Sequence, residues 1–216
     1  GGAIVLIVLI TSILLGDIPG ARTISLVALL GLKELIDIKY KNKDIKAIKI
    51  LSSISMLLIL LNNTLYTLDI KVLIYLPILI LILPIVFYNN KEKYNINDAF
   101  YFLGITYFLS FAFSNIITMR ELSIHKCIYI FIISFITDTY AYIGGMLIGR
   151  KHFTTISPKK TIEGSLIGAL TGSFIGSMYY IMFINDLSII KIIILSIILT
   201  ILSELGDLVF SSIKRY

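Results

Sequence analysis

Two apolar runs, ISFITDTYAYIGGMLIG at residues 133–149 and SLIGALTGSFIGSMYYIMF at residues 165–183, flank the polar octet SPKKTIEG at 157–164. Each run has about the length of a bilayer crossing, some 20 residues for a hydrocarbon core about 30 Å thick. Neither shows the strict alternation of a barrel strand. Without water to satisfy stray N–H and C=O groups inside lipid, helices are the only economical reading of such runs. The octet is then a loop at the membrane surface. Two features set these runs apart from passive spans: Asp138 lies inside the first, and Gly164, Gly168, Gly172 and Gly176 recur every four residues along the second.

The same pattern extends over the whole chain. Hydrophobic residues make up 57% of the 216 and charged residues 15%, against about 25% charged in an ordinary soluble domain, and the mean hydropathy is +0.95. Apolar runs fall at 3–15, 22–38, 47–61, 71–88, 98–118, 125–148, 165–184 and 188–209. The expected fold is all-α, a polytopic bundle of about eight transmembrane helices. It forms a single integral-membrane domain over residues 1–216, with no room for a separate soluble one. The lone Cys127 excludes an intrachain disulfide and a cysteine metal cluster. The excess of Lys over Arg, with heavy Ile and Asn usage, follows nucleotide composition, so the net charge of +6 carries no functional message. No nucleic-acid partner is expected.

Basic residues fall in alternate loops: Lys39, Lys41, Lys43, Lys46 and Lys49; Lys91 and Lys93; then Arg150, Lys151, Lys159 and Lys160. The positive-inside rule places these loops, and both termini, in the cytoplasm. SPKKTIEG, Asp138 and Asp207 then converge on one side of the membrane. The chain opens on Gly1-Gly2 without Met and closes just after a polar cluster, so the expectation is a protein shortened at both ends.

A carboxylate within a span costs about 2.5–3.5 kcal/mol on insertion scales and normally faces a polar cavity or partner. Asp138 is such a group, with Tyr142 one turn further along the same face. In the last run Thr200, Ser203, Glu204, Asp207, Ser211 and Lys214 recur at spacings of three and four, which stacks them on one helix face. Two carboxylates nearly a turn apart suggest a cation, and magnesium is typically held by one or two carboxylates plus substrate phosphates. The competing reading is an intramembrane salt bridge to Lys or Arg. The glycine stripe, flanked by Ser165, Ala169, Ser173 and Ser177, reads as a close helix–helix contact, and Gly145 and Gly149 add a further small pair. Plainer roles exist for the octet: Pro158 as a loop or helix-start device, Thr161 as a cap, and the lysines as ordinary cytoplasmic charge. His152 reads as a solvated loop residue, and His125 sits on the outer side.

Residues 138–168, DTYAYIGGMLIGRKHFTTISPKKTIEGSLIG, resemble the signature core of bacterial phosphatidate cytidylyltransferases (CDP-diacylglycerol synthases). There an Asp-x-x-Ala-Tyr-x-x-Gly helix runs into a Ser-Pro-Lys-Lys-Thr-x-Glu-Gly loop. Residues 203–215, SELGDLVFSSIKR, resemble the start of that family's C-terminal signature, with Gly206-Asp207 followed by Ser211-x-Ile213-Lys214-Arg215. A weaker likeness reaches GLKELIDI at 31–38. The family's signature continues with a Lys-Asp pair, a His-Gly-Gly turn and an Asp-Arg-x-Asp segment, which this sequence does not contain.

The resemblance implies transfer of a cytidylyl group from CTP to phosphatidate, giving CDP-diacylglycerol and pyrophosphate in phospholipid biosynthesis at the bacterial inner membrane, with the site facing the cytoplasm. It implies catalytic roles for Asp138, Asp207, Lys214 and Arg215. Substrate contacts fall to Ser157, Lys159, Lys160, Thr161, Glu163 and Ser211. Asp207 and Glu204 are assigned to Mg2+, with room for a second cation and a further carboxylate in the missing tail, so the shortened chain is expected to insert without turning over. The partners implied are CTP, phosphatidate and membrane lipid, and a homodimer is left open. Two other readings stay open: a CTP-dependent polyprenol or dolichol-type lipid kinase, and a non-enzymatic ion-coupled transporter.

Overall fold

The computed structural model describes residues 11–12, 15–40, 45–62, 65–87, 94–151 and 160–213. The helices are α1 (Asp17–Tyr40), α2 (Lys46–Leu60), α3 (Ile70–Ile82), α4 (Pro84–Phe87), α5 (Ile96–Leu122), α6 (Ile124–Ile148), α7 (Ile162–Phe183) and α8 (Ile189–Ile213). An isolated β-bridge joins Asn62 and Tyr66. Local chemistry sets several boundaries. Asp69 accepts from the Lys71 N–H at 2.8 Å to start α3. At the start of α5, Asp98 donates its N–H to the Asn95 side chain and its carboxylate accepts from the Asn95 N–H, at 2.9 and 3.1 Å, a reciprocal capping box. Pro84 opens α4 where α3 has ended, a position at which its missing N–H costs nothing.

The all-α membrane class holds, but eight spans are not confirmed. Among the described residues five helical segments are long and apolar enough to cross a bilayer: Ile70–Phe87, Ile96–Leu122, Ile124–Ile148, Ile162–Phe183 and Ile189–Ile213. The expected span at 22–38 lies in α1, where Arg22, Lys33, Glu34, Asp37 and Lys39 interrupt the apolar sequence. The expected span at 47–61 is α2, only 15 residues, short of the roughly 20 a crossing needs. Most of the run at 3–15 lies outside the described residues. With five such helices, the chain is an integral membrane protein.

Contacts sort the chain into two compact units, Gly1–Leu122 and Ser123–Tyr216. In the N-terminal unit α5 packs against α1 and α2, through Ile24, Leu32 and Ile36 of α1, Ile48 and Met56 of α2, and Phe102 of α5, all buried. Polar groups in this unit answer one another. The Tyr40 hydroxyl donates to the Asp98 carboxylate at 2.6 Å, in a buried position. Lys49 pairs with Asp37 at 2.6 Å, and the Lys39 ammonium lies 3.9 Å from the Tyr101 ring centroid, a cation–π contact.

In the C-terminal unit α7 packs against both α6 and α8, and its glycine stripe makes the closest contact. A Cβ added at Gly164 would lie 2.5 Å from the Ala141 carbonyl oxygen, and one at Gly168 would lie 2.5 Å from the Thr137 carbonyl oxygen. Helix backbones therefore touch where any side chain would intervene. The opposite face of α7 exposes Leu166, Leu170 and Phe174. Large apolar residues outside and glycine inside reverse the pattern of a soluble helix, as a lipid surround requires.

Candidate active site

The glycine contact brings the polar residues of three helices together at one end of the C-terminal unit. Asp138 and Tyr142 from α6, Lys160, Thr161 and Ser165 at the start of α7, and Asp207 from α8 line a cavity of about 360 Å³. Each is placed by local structure. Tyr142 follows Asp138 by one helical turn, as expected. Thr161 is the N-cap of α7, its hydroxyl oxygen accepting from the Gly164 N–H at 3.2 Å. The pair Gly145 and Gly149 makes room for that cap: a Cβ at Gly149 would lie 2.7 Å from Thr161 Oγ1. Lys160, just before the cap, places its ammonium 2.7 Å from Asp207 Oδ2.

The electrostatics centre on Lys160. Besides its ion pair with Asp207, it acts on Asp138 and on Glu204, while Asp138 and Asp207 repel each other. Ser165 of α7 acts on the Glu204 carboxylate, whose oxygen Oε1 is buried and has no hydrogen-bond partner. Such an orphaned acceptor beside an acidic residue fits a cation better than a closed salt-bridge network does. Among the described residues no three His, Cys, Asp or Glu side chains form a ready metal cluster. The carboxylates thus suit a magnesium ion completed by substrate phosphates, and do not make a closed protein cage.

Of the other residues singled out in the sequence, Glu163 turns away from the cavity. Its Oε2 accepts from the backbone N–H groups of Arg150 and Lys151, at 3.1 and 3.2 Å, and the Ile162 N–H donates to the Lys151 carbonyl at 3.0 Å. These bonds close the base of the loop that joins α6 to α7. Ser211 lies one turn beyond Asp207 on α8, and neither it nor Glu204 is among the cavity's lining residues. Ser157, Lys159, Lys214 and Arg215 lie outside the described residues, as does His152. Ser165 is the residue that the sequence marked only as small: its position one turn after Thr161 was the available signal for a place in the cavity.

The far end of the unit anchors this frame. Tyr129 of α6 and Ser177 of α7 both hydrogen-bond Ser196 of α8, at 2.8 and 3.0 Å. In the turn between α7 and α8, Asp186 accepts from Tyr180 at 2.5 Å and pairs with Lys126 at 2.6 Å. His125 joins Tyr179 at 3.1 Å and stacks on Phe183, so it is occupied in structure far from the cavity.

Comparison with known proteins identifies the family. The cytidylyltransferase family profile matches residues 2–216. A phosphatidate cytidylyltransferase of Staphylococcus haemolyticus is 31% identical over 219 residues, covering 99% of this chain and 82% of that protein. Proteins of the same name from Staphylococcus saprophyticus and Staphylococcus aureus are 30% and 28% identical over the same shares. No solved structure matches. The profile spans both units, and the relatives align across the cavity helices as well as the N-terminal ones; this chain belongs to the cytidylyltransferase family.

Proposed function

We propose that this integral membrane enzyme transfers the cytidylyl group of CTP to phosphatidate, giving CDP-diacylglycerol and pyrophosphate. A phosphate oxygen of the lipid attacks the α-phosphorus of CTP, and the bond from that phosphorus to the α–β bridging oxygen breaks as pyrophosphate leaves. Little covalent chemistry is asked of the protein; positioning and neutralisation of crowded phosphate charge carry the rate. The observation that carries this reading to the level of residues is the meeting of Asp138, Lys160 and Asp207, from three separate segments, around one cavity. Its 360 Å³ is within the range of small-ligand pockets, about 300–1,000 Å³.

Within that cavity Lys160 supplies a mobile positive charge for phosphate oxygens. Thr161 accepts with its oxygen from Gly164, which leaves its hydroxyl proton free to donate to phosphate. The amide end of α7 adds the positive pole of a 22-residue helix. Asp207 and Glu204 would hold a magnesium ion, which when bound neutralises charge on the nucleotide phosphates. Asp138 lines the same cavity, and Glu163 holds the loop base. Lys159, Lys214 and Arg215 are assigned by sequence to further phosphate contacts, and Ser157 and Ser211 to hydrogen bonds. The basic residues Arg150, Lys151 and Lys160 gather at the cavity end of the unit, which supports a site facing the cytoplasm, where CTP is found.

The test is the fate of labelled phosphorus. With the full-length enzyme, CTP labelled at the α-phosphate and phosphatidate vesicles, label should enter lipid while pyrophosphate appears in solution. Label retained in soluble CDP, with the γ-phosphate transferred to lipid, would make the protein a lipid kinase instead.

A further inference from the structure

We infer that Lys160 is a placeholder for the divalent cation. In the substrate-free protein its ammonium holds the Asp207 carboxylate; when metal and nucleotide load, the metal takes that carboxylate and Lys160 turns to a phosphate. The inference rests on the metal role given to Asp207 above, and adds to it a competition between two cations for one carboxylate and an order of events.

Three observations carry it. First, the Lys160 ammonium lies 2.7 Å from Asp207 Oδ2, the space a metal bound to that oxygen at about 2.0–2.1 Å would enter. Both cations cannot hold the same oxygen from the same side, because like charges a few Å apart repel strongly in a site of reduced dielectric. Second, the pair is open to exchange. Lys160 precedes the helix cap rather than sitting in a helix, and the side chains of Lys160 and Asp207 are 20% and 47% exposed, so release requires a rotamer change and no opening of the core. Third, among the described residues the pair leaves acidic groups unanswered. Lys160 is paired with Asp207 and shares the cavity with Asp138, while Glu204 Oε1 is buried with no partner. An ammonium already engaged by Asp207 does not meet that demand, and a divalent ion would. Once released, the ammonium is still tethered next to the amide end of α7, where phosphate is favoured.

The test uses Mn2+ as the probe, with free metal counted by electron paramagnetic resonance, on the protein in lipid nanodiscs without nucleotide. Lys160→Met keeps the length of the side chain and removes the charge; it should tighten Mn2+ binding roughly tenfold, the scale of removing one nearby like charge. Lys160→Arg keeps a charge on Asp207 and should bind Mn2+ no tighter than wild type. Asp207→Asn should lose the site. In the presence of CTP the order reverses for nucleotide, with Lys160→Met binding CTP more weakly than wild type. Helical melting curves establish that each variant is folded, and the Met and Arg variants serve as checks on each other. If Asp207→Asn loses Mn2+ while Lys160→Met binds it as wild type does or more weakly, the placeholder role is wrong and the metal site stands. If Asp207→Asn binds Mn2+ as wild type does, the metal assignment itself fails and the exchange with it.

Discussion

In the N-terminal unit helices meet through large side chains, with Phe102, Met56, Leu32 and Ile36 filling the space between them. In the C-terminal unit they meet closely along a glycine stripe, where Gly164 and Gly168 bring α7 against the backbone of α6 and Gly172 and Gly176 admit the side chains of Thr137, Thr200 and Ile133. Polar groups follow the same division. Asp98, the buried carboxylate of the first unit, is satisfied by Tyr40 and by the start of its own helix. In the second unit Glu204 keeps a buried oxygen without a partner, and Asp207 holds a lysine that reaches it from a loop. The first unit also has buried hydroxyls without partners, on Ser55, Thr106 and Ser110, but an orphaned hydroxyl costs far less than an orphaned charge. Carboxylates that are closed by protein groups stabilise a fold; carboxylates left open can bind a ligand, and a rigid glycine-packed frame is what holds them at fixed spacing.

The largest effect should come from filling the glycine contact. Gly168→Leu would drive a side chain into the Thr137 carbonyl oxygen, 2.5 Å from where its Cβ must go. Overpacking commonly costs about 1–3 kcal/mol and more where backbone is the obstacle, so the C-terminal unit should lose its cooperative melting transition. Gly31 of α1 offers the contrast, since a Cβ there meets nothing within 4 Å. Gly31→Ala should raise stability by about 0.5–1 kcal/mol through helix propensity. Equal melting behaviour in the two variants would break the comparison.

A smaller effect is expected at Asp98. Asp98→Asn removes the charged acceptor for the Tyr40 hydroxyl, and hydrogen bonds to charged groups contribute about 1.5–3 kcal/mol. Melting should fall by that order while cytidylyl transfer per folded molecule is unchanged. A loss of transfer at full stability would mean that this carboxylate is not merely structural.

The smallest effect is at the far turn of the C-terminal unit. The Lys126 ammonium hydrogen-bonded to Asp186, helped by the Tyr180 hydroxyl, holds that carboxyl below its ordinary value of 3.8. A folded-state pKa lowered in this way contributes stability that is fully present above the ordinary value and is lost as pH falls through the depressed one. Melting temperature in non-ionic detergent should therefore drop on acidification below the carboxylate range, and Asp186→Asn should flatten that drop. Because the pair is partly exposed, the change should be slight.

Periodicity made the frame legible before the structure. The four-residue glycine repeat predicted the close contact of α7, and the three–four spacing of Glu204 and Asp207 placed them on one face of α8. Hydropathy was a weaker guide at the N-terminal end, since α2 is apolar but only 15 residues long and α1 carries charges that a composition average hides. The Lys160–Asp207 pair joins two residues far apart in the chain, and no local pattern encodes such a meeting. Glu163 could be assigned only from its motif; in the structure its carboxylate reaches the amides of Arg150 and Lys151. Backbone donors are the same at every residue, so a side chain that binds them leaves no partner to find in the sequence.

Asp207 lies at the cavity, the ion pair and the proposed metal position at once. The direct measurement is cytidylyl transfer from α-labelled CTP to phosphatidate by Asp207→Asn of the full-length enzyme in nanodiscs, with thermal melting recorded on the same preparation. Removing one preorganised electrostatic group typically costs about 10²–10³ in turnover. The account predicts a fall of at least that order, with the melting temperature close to wild type because the amide preserves shape. Wild-type transfer by the Asp207→Asn protein would contradict it.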